Sequence, residues 1–203
     1  MALPAGSNAS IIFSDDFSQI PASRGMFTTL PPSWSIGNNG WVEILGECDF
    51  HRSTDLLPGN NCYIDLDGNL PEDLEADPPN LFQTGLLQAS FFLQRGFTYE
   101  ASFELAGNQI VPFGDTVDVN FGAIQKPIFV APYSDFTLYS ILFEPITSGE
   151  YTLSFLNSNV DAFGALLDDV VVTQTPAPLP VLGFGAVLAY SRRLRRKMIQ
   201  RMT

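Results

Sequence analysis

Alternation of apolar and polar residues is the strongest pattern in this chain. In the segment 98–105 every second residue is apolar, and the apolar face consists of Tyr99, Ala101, Phe103 and Leu105. A period of two is typical of a strand that buries one face. The segment 116–121 alternates in the same way. Weaker patterns bring the predicted strands to roughly ten, at 11–17, 34–36, 41–45, 63–66, 87–93, 98–105, 116–121, 136–143, 151–156 and 166–173.

Short strands in this number, separated by turns, predict an all-β fold with two antiparallel sheets packed as a sandwich. Gly107, Gly114 and Gly149 lie between predicted strands, where turns require them. The chain has 17 phenylalanines, enough to supply much of a core. The residues before the proline-rich segment at 175–180 suffice for one domain, and no internal repeat is present.

Charge divides the chain into two parts. Six of the ten basic residues lie at the C-terminus, namely Arg192, Arg193, Arg195, Arg196, Lys197 and Arg201. All 22 acidic residues lie upstream with only four basic ones, so that the upstream part carries a net charge of −18. A body this negative repels phosphate groups, which argues against nucleic acid as a partner.

An apolar run at 179–190 precedes the basic cluster. A helix of this length would reach about 18 Å, short of the roughly 30 Å of a bilayer core, and arginine side chains could extend it into the interface. We therefore predict that 181–203 forms one short apolar helix with a basic tail that associates with a membrane, the tail cytoplasmic and the body outside. The alternative is an amphipathic basic helix docked on the body.

Residues 1–10 contain small residues but neither a basic start nor an apolar run. They are typical of the end of a signal peptide near its cleavage site, and we interpret them as the remnant of a truncated one. The predicted sandwich domain then covers 11–174 and the linker 175–180. The alternative is a cytosolic protein with a tail anchor.

The C-terminal segment resembles the PEP-CTERM sorting signal of bacterial surface proteins, especially a cyanobacterial form that reads Pro-Leu-Pro-Val-Leu-Gly. The resemblance rests on a proline-rich linker, an apolar run and an arginine cluster, with Pro178, Pro180, Arg192, Arg193, Arg195 and Arg196 as the sorting positions. Ala177 stands where the family has a glutamate between prolines. The family implies export, a membrane-anchored intermediate, processing by an exosortase-type enzyme, and delivery to the cell surface or extracellular space.

Four segments of the body, 64–68, 85–99, 105–109 and 167–170, are similar in order to the galactose-binding-like jelly rolls of choice-of-anchor C proteins and their plant cell-wall relatives. This resemblance implies a jelly-roll sandwich, an extracellular location and carbohydrate binding. Such jelly rolls often join their termini through a structural calcium ion, which prefers oxygen ligands. By resemblance Asp168 takes the last-strand position, and Asp16 is the candidate ligand from the first strand, although Ser18 replaces the glutamate that usually follows the phenylalanine. The alternative is a pair of solvated or hydrogen-bonded carboxylates.

Cys48 and Cys62 are the only cysteines, and they enclose a loop rich in Gly, Pro and Asn. In an exported protein they could form a disulfide, which by closing a loop of this size would contribute about 3 kcal/mol. Two reduced structural thiols are the alternative. With a single histidine, the two cysteines cannot complete a four-ligand zinc site.

Trp34, Trp41, Tyr63 and Tyr133 are among the aromatic residues that could stack on sugars. We expect Trp34 in the core, and a ligand site on loops at one end of the sandwich that draws on Trp41, Asn60, Asn61 and Tyr63. No catalytic sequence motif occurs. The sequence thus favours a non-enzymatic exported protein that binds extracellular polysaccharide. The alternatives are a purely structural surface protein and a glycan-active hydrolase, whose carboxylate pair the sequence cannot locate.

Overall fold

The computed structural model describes residues 9–19, 30, 33–38, 40–47, 55–67, 84–159 and 163–176. Regular structure within these ranges consists of the strands β1 (Ser10–Asp15), β2 (Ser35–Gly37), β3 (Glu43–Gly46), β4 (Cys62–Asp65), β5 (Leu86–Leu93), β6 (Phe97–Ala106), β7 (Asp115–Phe121), β8 (Ile124–Val130), β9 (Thr137–Phe143), β10 (Gly149–Asn157) and β11 (Leu166–Pro176). Among these residues, no helix is long and apolar enough to cross a membrane.

The strands form two antiparallel sheets. The six-stranded sheet has the order β3-β4-β11-β6-β9, with β1 paired to β11 beside this path, and the five-stranded sheet has the order β2-β5-β10-β7-β8. β4 pairs with Leu166 and Leu167 of β11, whereas β1 pairs with residues 170–174, so the two strands share one side of β11. The predicted all-β two-sheet sandwich is confirmed.

Aromatic side chains fill the space between the sheets. In β6 the predicted apolar face is buried, and Phe103 meets Phe155 of β10 edge to face, with ring centroids 5.0 Å apart. Trp34 is buried, as expected, and its Nε1 donates a hydrogen bond of 2.9 Å to Asp15 Oδ2. Each such ring removes a large apolar area from water, a contribution of about 1.5–3 kcal/mol.

Most strand boundaries differ from the sequence prediction by one or two residues, and larger differences occur at β8 and at the two ends of the domain. β8 has no counterpart among the predicted strands, because its first four residues are all exposed and do not alternate. It lies at the edge of its sheet, where Lys126 and Pro127 are tolerated since one side of the strand pairs with none of the described strands. β1 begins at Ser10 and β11 ends at Pro176, so the sheet extends beyond the predicted 11–174 domain at both ends.

Candidate functional site

The structure places Trp41 far from Asn60 and Asn61. β3 and β4 form an antiparallel pair in which Glu43 lies opposite Asp65 and Gly46 opposite Cys62. Trp41 precedes this pair at one end, where its carbonyl accepts the Gly85 N–H at 2.9 Å. Asn61 lies at the other end, where its carbonyl accepts the Glu47 N–H at 2.6 Å. Six residues of extended chain separate the two ends by about 20 Å, so these residues do not form one site.

Tyr63 is a core residue and not a loop residue. It lies within β4 with 0% exposure, in a small cluster with Leu45, Ala106 and Leu166. Its hydroxyl accepts N–H groups of Leu56 and Leu57 at 2.7 and 3.0 Å and contacts Asp55 Oδ1 at 3.1 Å. Burial raises the pKa of this phenol. The expectation that Tyr63 offers its ring to a ligand is therefore corrected, because the ring anchors the segment 55–61.

A different group of loops meets at the end of the sandwich where β6 and β10 finish. We call residues 107–114, between β6 and β7, together with residues 131–136, between β8 and β9, the loop platform. The Tyr133 N–H donates to the Asn108 carbonyl at 2.9 Å, and the Gly107 N–H donates to the Ser134 carbonyl at 3.1 Å. Gly107 also lies against the Ala131 carbonyl with no room for a Cβ atom. These contacts join the two loops into one unit.

A buried polar network supports the loop platform from below. Asn108 Nδ2 donates to the Phe113 carbonyl at 2.7 Å and to Asp115 Oδ2 at 3.0 Å. Asn157 Nδ2 donates to the other carboxylate oxygen, Asp115 Oδ1, at 3.2 Å. All three side chains are at most 2% exposed. Since buried polar groups that are hydrogen-bonded fix one geometry, this network holds the two loops in place.

Exposed aromatic rings lie on the loop platform and beside it. Phe113 is 66% exposed and Tyr133 is 52% exposed, and Phe129, at the end of β8 over Gly114, is 67% exposed. Tyr133 has a φ of 60°, an unusual conformation for a bulky residue and one that the surrounding contacts must maintain. Large rings that remain in water on a fixed backbone can stack on a flat ligand.

The sequence predicted only part of the candidate site. Tyr133 was a candidate for sugar stacking because of its ring. Phe113 and Phe129 gave no comparable reason for selection, because alternation identifies the two faces of a strand but not whether a neighbouring loop covers the outer face.

Asp16 and Asp168, the candidate calcium ligands, lie near each other on the six-stranded sheet. Burial is the main reason that the pKa of Asp168 is raised to about 7, with smaller contributions from the charges of Asp169, Glu104 and Asp16 and an opposing one from the Asp169 N–H. Hydrogen bonds from Ser18 lower the pKa of Asp16. Within the described ranges, no group of three or more His, Cys, Asp or Glu side chains is arranged to hold a metal ion. Calcium here stays a prediction.

Asp65 is a second buried carboxyl group, at the end of β4. Its Oδ1 accepts the N–H groups of Asp67 at 2.9 Å and Gly164 at 3.1 Å. Burial raises its pKa well above the usual range, and the nearby Glu43 and Asp67 add to the rise. The first bond stabilises the turn after β4, and the second joins it to the segment that precedes β11. We therefore assign this side chain a structural role.

Several predicted positions fall outside the described residues. Cys48 is one of them, and so the disulfide with the buried Cys62 stays a prediction. The sorting positions also lie outside, namely Pro178, Pro180, Arg192, Arg193, Arg195 and Arg196. So do the predicted helix and tail at 181–203, residues 177–180 of the linker and residues 1–8 of the signal-peptide remnant, all of which stay predictions.

Comparison with known proteins identifies the fold. No family model and no curated protein sequence matches this chain. A cyclase from Fischerella sp. TAU has a similar structure, with a TM-score of 0.54 at 12% identity over 85% of this chain and 100% of that chain. The tandem CBM22-1–CBM22-2 domain of Xyn10C from Paenibacillus barcinonensis gives 0.51 at 12% identity over 89% of this chain and 49% of that chain. The single CBM22-1 xylan-binding domain of Xyn10C gives 0.49 at 11% identity over 86% and 100%. At such identities the first two matches show a shared fold alone, the jelly-roll sandwich.

Proposed function

We propose that this protein is a non-catalytic sandwich that binds extracellular polysaccharide through the loop platform. The observation that carries the proposal is the exposure of Phe113 and Tyr133 on loops that a buried amide–carboxylate network supports, with the exposed ring of Phe129 in β8 beside them over Gly114. Flat aromatic rings suit the apolar faces of sugar rings. A site that is already ordered loses little conformational entropy on binding, so few contacts suffice for a useful affinity.

The shared fold supports this proposal in general terms. The CBM22 tandem domain, a pair of carbohydrate-binding modules, has the same sandwich. The same fold also occurs in a cyclase, so the fold alone does not decide between binding and catalysis. The purely structural surface protein remains the alternative if no glycan binds.

The binding test uses the double variant Phe113→Ala/Tyr133→Ala in the full chain. Affinity electrophoresis in gels that contain soluble xylan, galactan or glucan measures binding. We expect the double variant to bind at least about tenfold more weakly, because aromatic residues in a binding site each contribute about 1–2 kcal/mol or more. Thermal stability should change little, because both rings are exposed in the free protein.

Phe92→Ala provides the matched control. Phe92 is 61% exposed but pairs with Glu150 near the start of β10, at the end of the sandwich opposite the loop platform. Its removal should leave the mobility in every gel unchanged. Wild-type affinity in the double variant would exclude the loop platform as the site. No retardation of the wild type by any glycan would favour the structural-protein alternative.

We further propose that the chain is exported and reaches the cell surface by way of a membrane-anchored intermediate. The support is the separation of a body at −18 from a C-terminal cluster of six basic residues behind an apolar run. An exosortase-type enzyme would be the processing partner.

A further inference from the structure

We propose that the loop platform selects neutral polysaccharides and discriminates against glycans that carry uronic acid or sulfate groups. This inference rests on the proposed function and specifies the ligand class of the same site. It follows from where the charged side chains lie on the described part of the molecule.

No basic side chain lies in the loop platform, whose residues 107–114 and 131–136 contain neither Lys nor Arg. Arg95 and Lys126 are the basic residues within the described ranges. Arg95 lies between β5 and β6, at the end of β6 opposite Asn108. Lys126 Nζ donates a hydrogen bond of 3.2 Å to the Ser140 carbonyl of β9. Recognition of carboxylate or sulfate groups generally depends on Arg or Lys side chains, which this surface lacks.

Acidic groups lie within and beside the loop platform. Asp135 is an exposed platform residue. The carboxylate of Asp118 accepts a hydrogen bond of 2.8 Å from Ser158 Oγ, next to Asn157 of the supporting network. The field of these two groups adds to that of the body as a whole, whose net charge is −18. An anionic glycan therefore meets repulsion at the site and on its approach.

The polar groups beside the rings are uncharged. Gln109 Nε2 donates to the carbonyls of Gly107 and Ser134 at 2.8 and 3.1 Å, so its amide is fixed at the loop surface. Ser134 adds a hydroxyl group that donates to the Ala131 carbonyl at 2.8 Å. Because these donors are used inside the loops, the amide oxygen of Gln109 and the second lone pair of the Ser134 hydroxyl group are the groups that can accept hydrogen bonds from sugar hydroxyl groups. The combination of rings, amides and repelling carboxylates points to neutral sugars.

The test compares glycans that share a backbone and differ in charge. The full chain is titrated with three pairs: arabinoxylan and glucuronoxylan, galactan and its sulfated form, and hydroxyethylcellulose and carboxymethylcellulose. In low salt we expect at least about tenfold tighter binding to the neutral member of whichever pair binds. The ratio should shrink in about 0.5 M salt, because repulsion between exposed charges is screened at that ionic strength.

Two charge variants test whether the discrimination against acidic glycans arises at the loop platform. Asp135→Lys should raise affinity for the acidic glycan severalfold at low salt and reduce the preference for the neutral one. Glu150→Lys changes the net charge equally, but Glu150 is an exposed residue at the start of β10, at the far end of the sandwich, so this variant should leave the preference nearly unchanged. Equal changes in both variants would show a general charge effect and overturn the selection by the loop platform.

The outcomes separate this inference from the proposed function. Equal or tighter binding of the acidic member, with binding still lost in Phe113→Ala/Tyr133→Ala, overturns the selectivity and leaves the proposed function intact. Binding to no member of any pair overturns both. Neutral preference that persists in Phe113→Ala/Tyr133→Ala would place the selective site elsewhere and also overturn both.

Discussion

Asn157 connects the end of β10 to the support of the loop platform. Its Nδ2 donates to Asp115 Oδ1 at 3.2 Å and to the Asn159 carbonyl at 3.2 Å. Its Oδ1 is buried and has no hydrogen-bond partner among the residues that the structure describes. An unsatisfied buried acceptor costs about 1–3 kcal/mol, and an internal water with two to four polar partners is the usual compensation. The residue is therefore sensitive to any change in its donor group.

Asn157→Asp should destabilise the protein by about 3 kcal/mol at pH 7, because it replaces an amide donor with a second buried carboxylate beside Asp115. The loss should diminish at low pH, where the new carboxyl group is protonated. Urea unfolding at several pH values measures it. Asn120→Asp is the control, since Asn120 is partly exposed and its Nδ2 donates a long hydrogen bond of 3.5 Å to Ser154 Oγ. A loss no greater in Asn157→Asp than in Asn120→Asp would contradict the proposed support.

Asp168 makes stability depend on pH. Its pKa is raised from an ordinary value of 3.8 to about 7 by burial, with Asp169, Glu104 and Asp16 contributing. Between these values the folded protein binds a proton at Asp168 that the unfolded chain does not, so the contribution of Asp168 to stability is most favourable below pH 4 and falls as the pH rises towards 7. Asp168→Asn should therefore raise the free energy of unfolding at pH 8 and leave it nearly unchanged at pH 3. Equal effects of Asp168→Asn at both pH values would contradict this assignment.

Bound calcium would offset the destabilising effect of the negative charge on Asp168. If Asp16 and Asp168 bind the ion, millimolar calcium at pH 8 should stabilise the wild type more than Asp168→Asn, because carboxylates are its preferred ligands. The measurement is the thermal midpoint with calcium and with a chelator. An equal shift in both proteins would exclude Asp168 as a ligand.

At the scale of elements, alternation along a strand predicts which residues face the core, but it does not predict which side chains a neighbouring loop covers. Alternation located β6 and β7 and their buried faces, because each residue's face follows from the period of two. It did not show that segment 55–61 covers Tyr63 whereas Tyr133 stays uncovered, because coverage depends on contacts between segments distant in sequence. β8 was missed for the related reason that an edge strand need not bury alternate residues.

The closeness of the two platform loops can be tested at Gly107. A Cβ atom there would overlap the Ala131 carbonyl, so Gly107→Ala should cost at least about 2 kcal/mol and weaken glycan binding, since the loops must separate. Gly149→Ala is the matched control, because no atom lies within 4 Å of its added Cβ. Its stability should change by less than about 0.5 kcal/mol. Urea midpoints that agree for the two variants would show that the loops do not need this approach.

At the scale of the whole molecule, the sequence predicts the two-sheet fold and the division of charge, but not which end presents a ligand site. Both of these predictions rest on composition and periodicity over many residues, so a wrong interpretation of a few positions does not change them. The proposed site depends on three rings and a few hydrogen bonds between residues as distant as Asp115 and Asn157. No local pattern reports such a pairing.

The role of the C-terminal tail can be tested by comparison of the full chain with a version that ends at Pro176, which retains all of β11. We expect the full chain in the membrane fraction and the shortened chain in the soluble fraction, because the apolar run and six basic residues follow Pro176. Cell fractionation with immunodetection measures this. Substitution of the arginines by glutamine, with the apolar run intact, separates the two contributions. Equal distribution of the full and shortened chains would refute membrane targeting.

The pairing of the first and last strands determines which way the domain would face if it were tethered. Ser10 lies opposite Gln174, so the described chain starts and finishes side by side. Pro176 lies opposite Phe97 at one end of β6, and Asn108 of the loop platform follows the other end. Ten residues of strand place the two ends about 30 Å apart. A cell that held this protein by its C-terminus would thus carry the aromatic rings at the far tip, directed away from the attachment and towards the surrounding matrix.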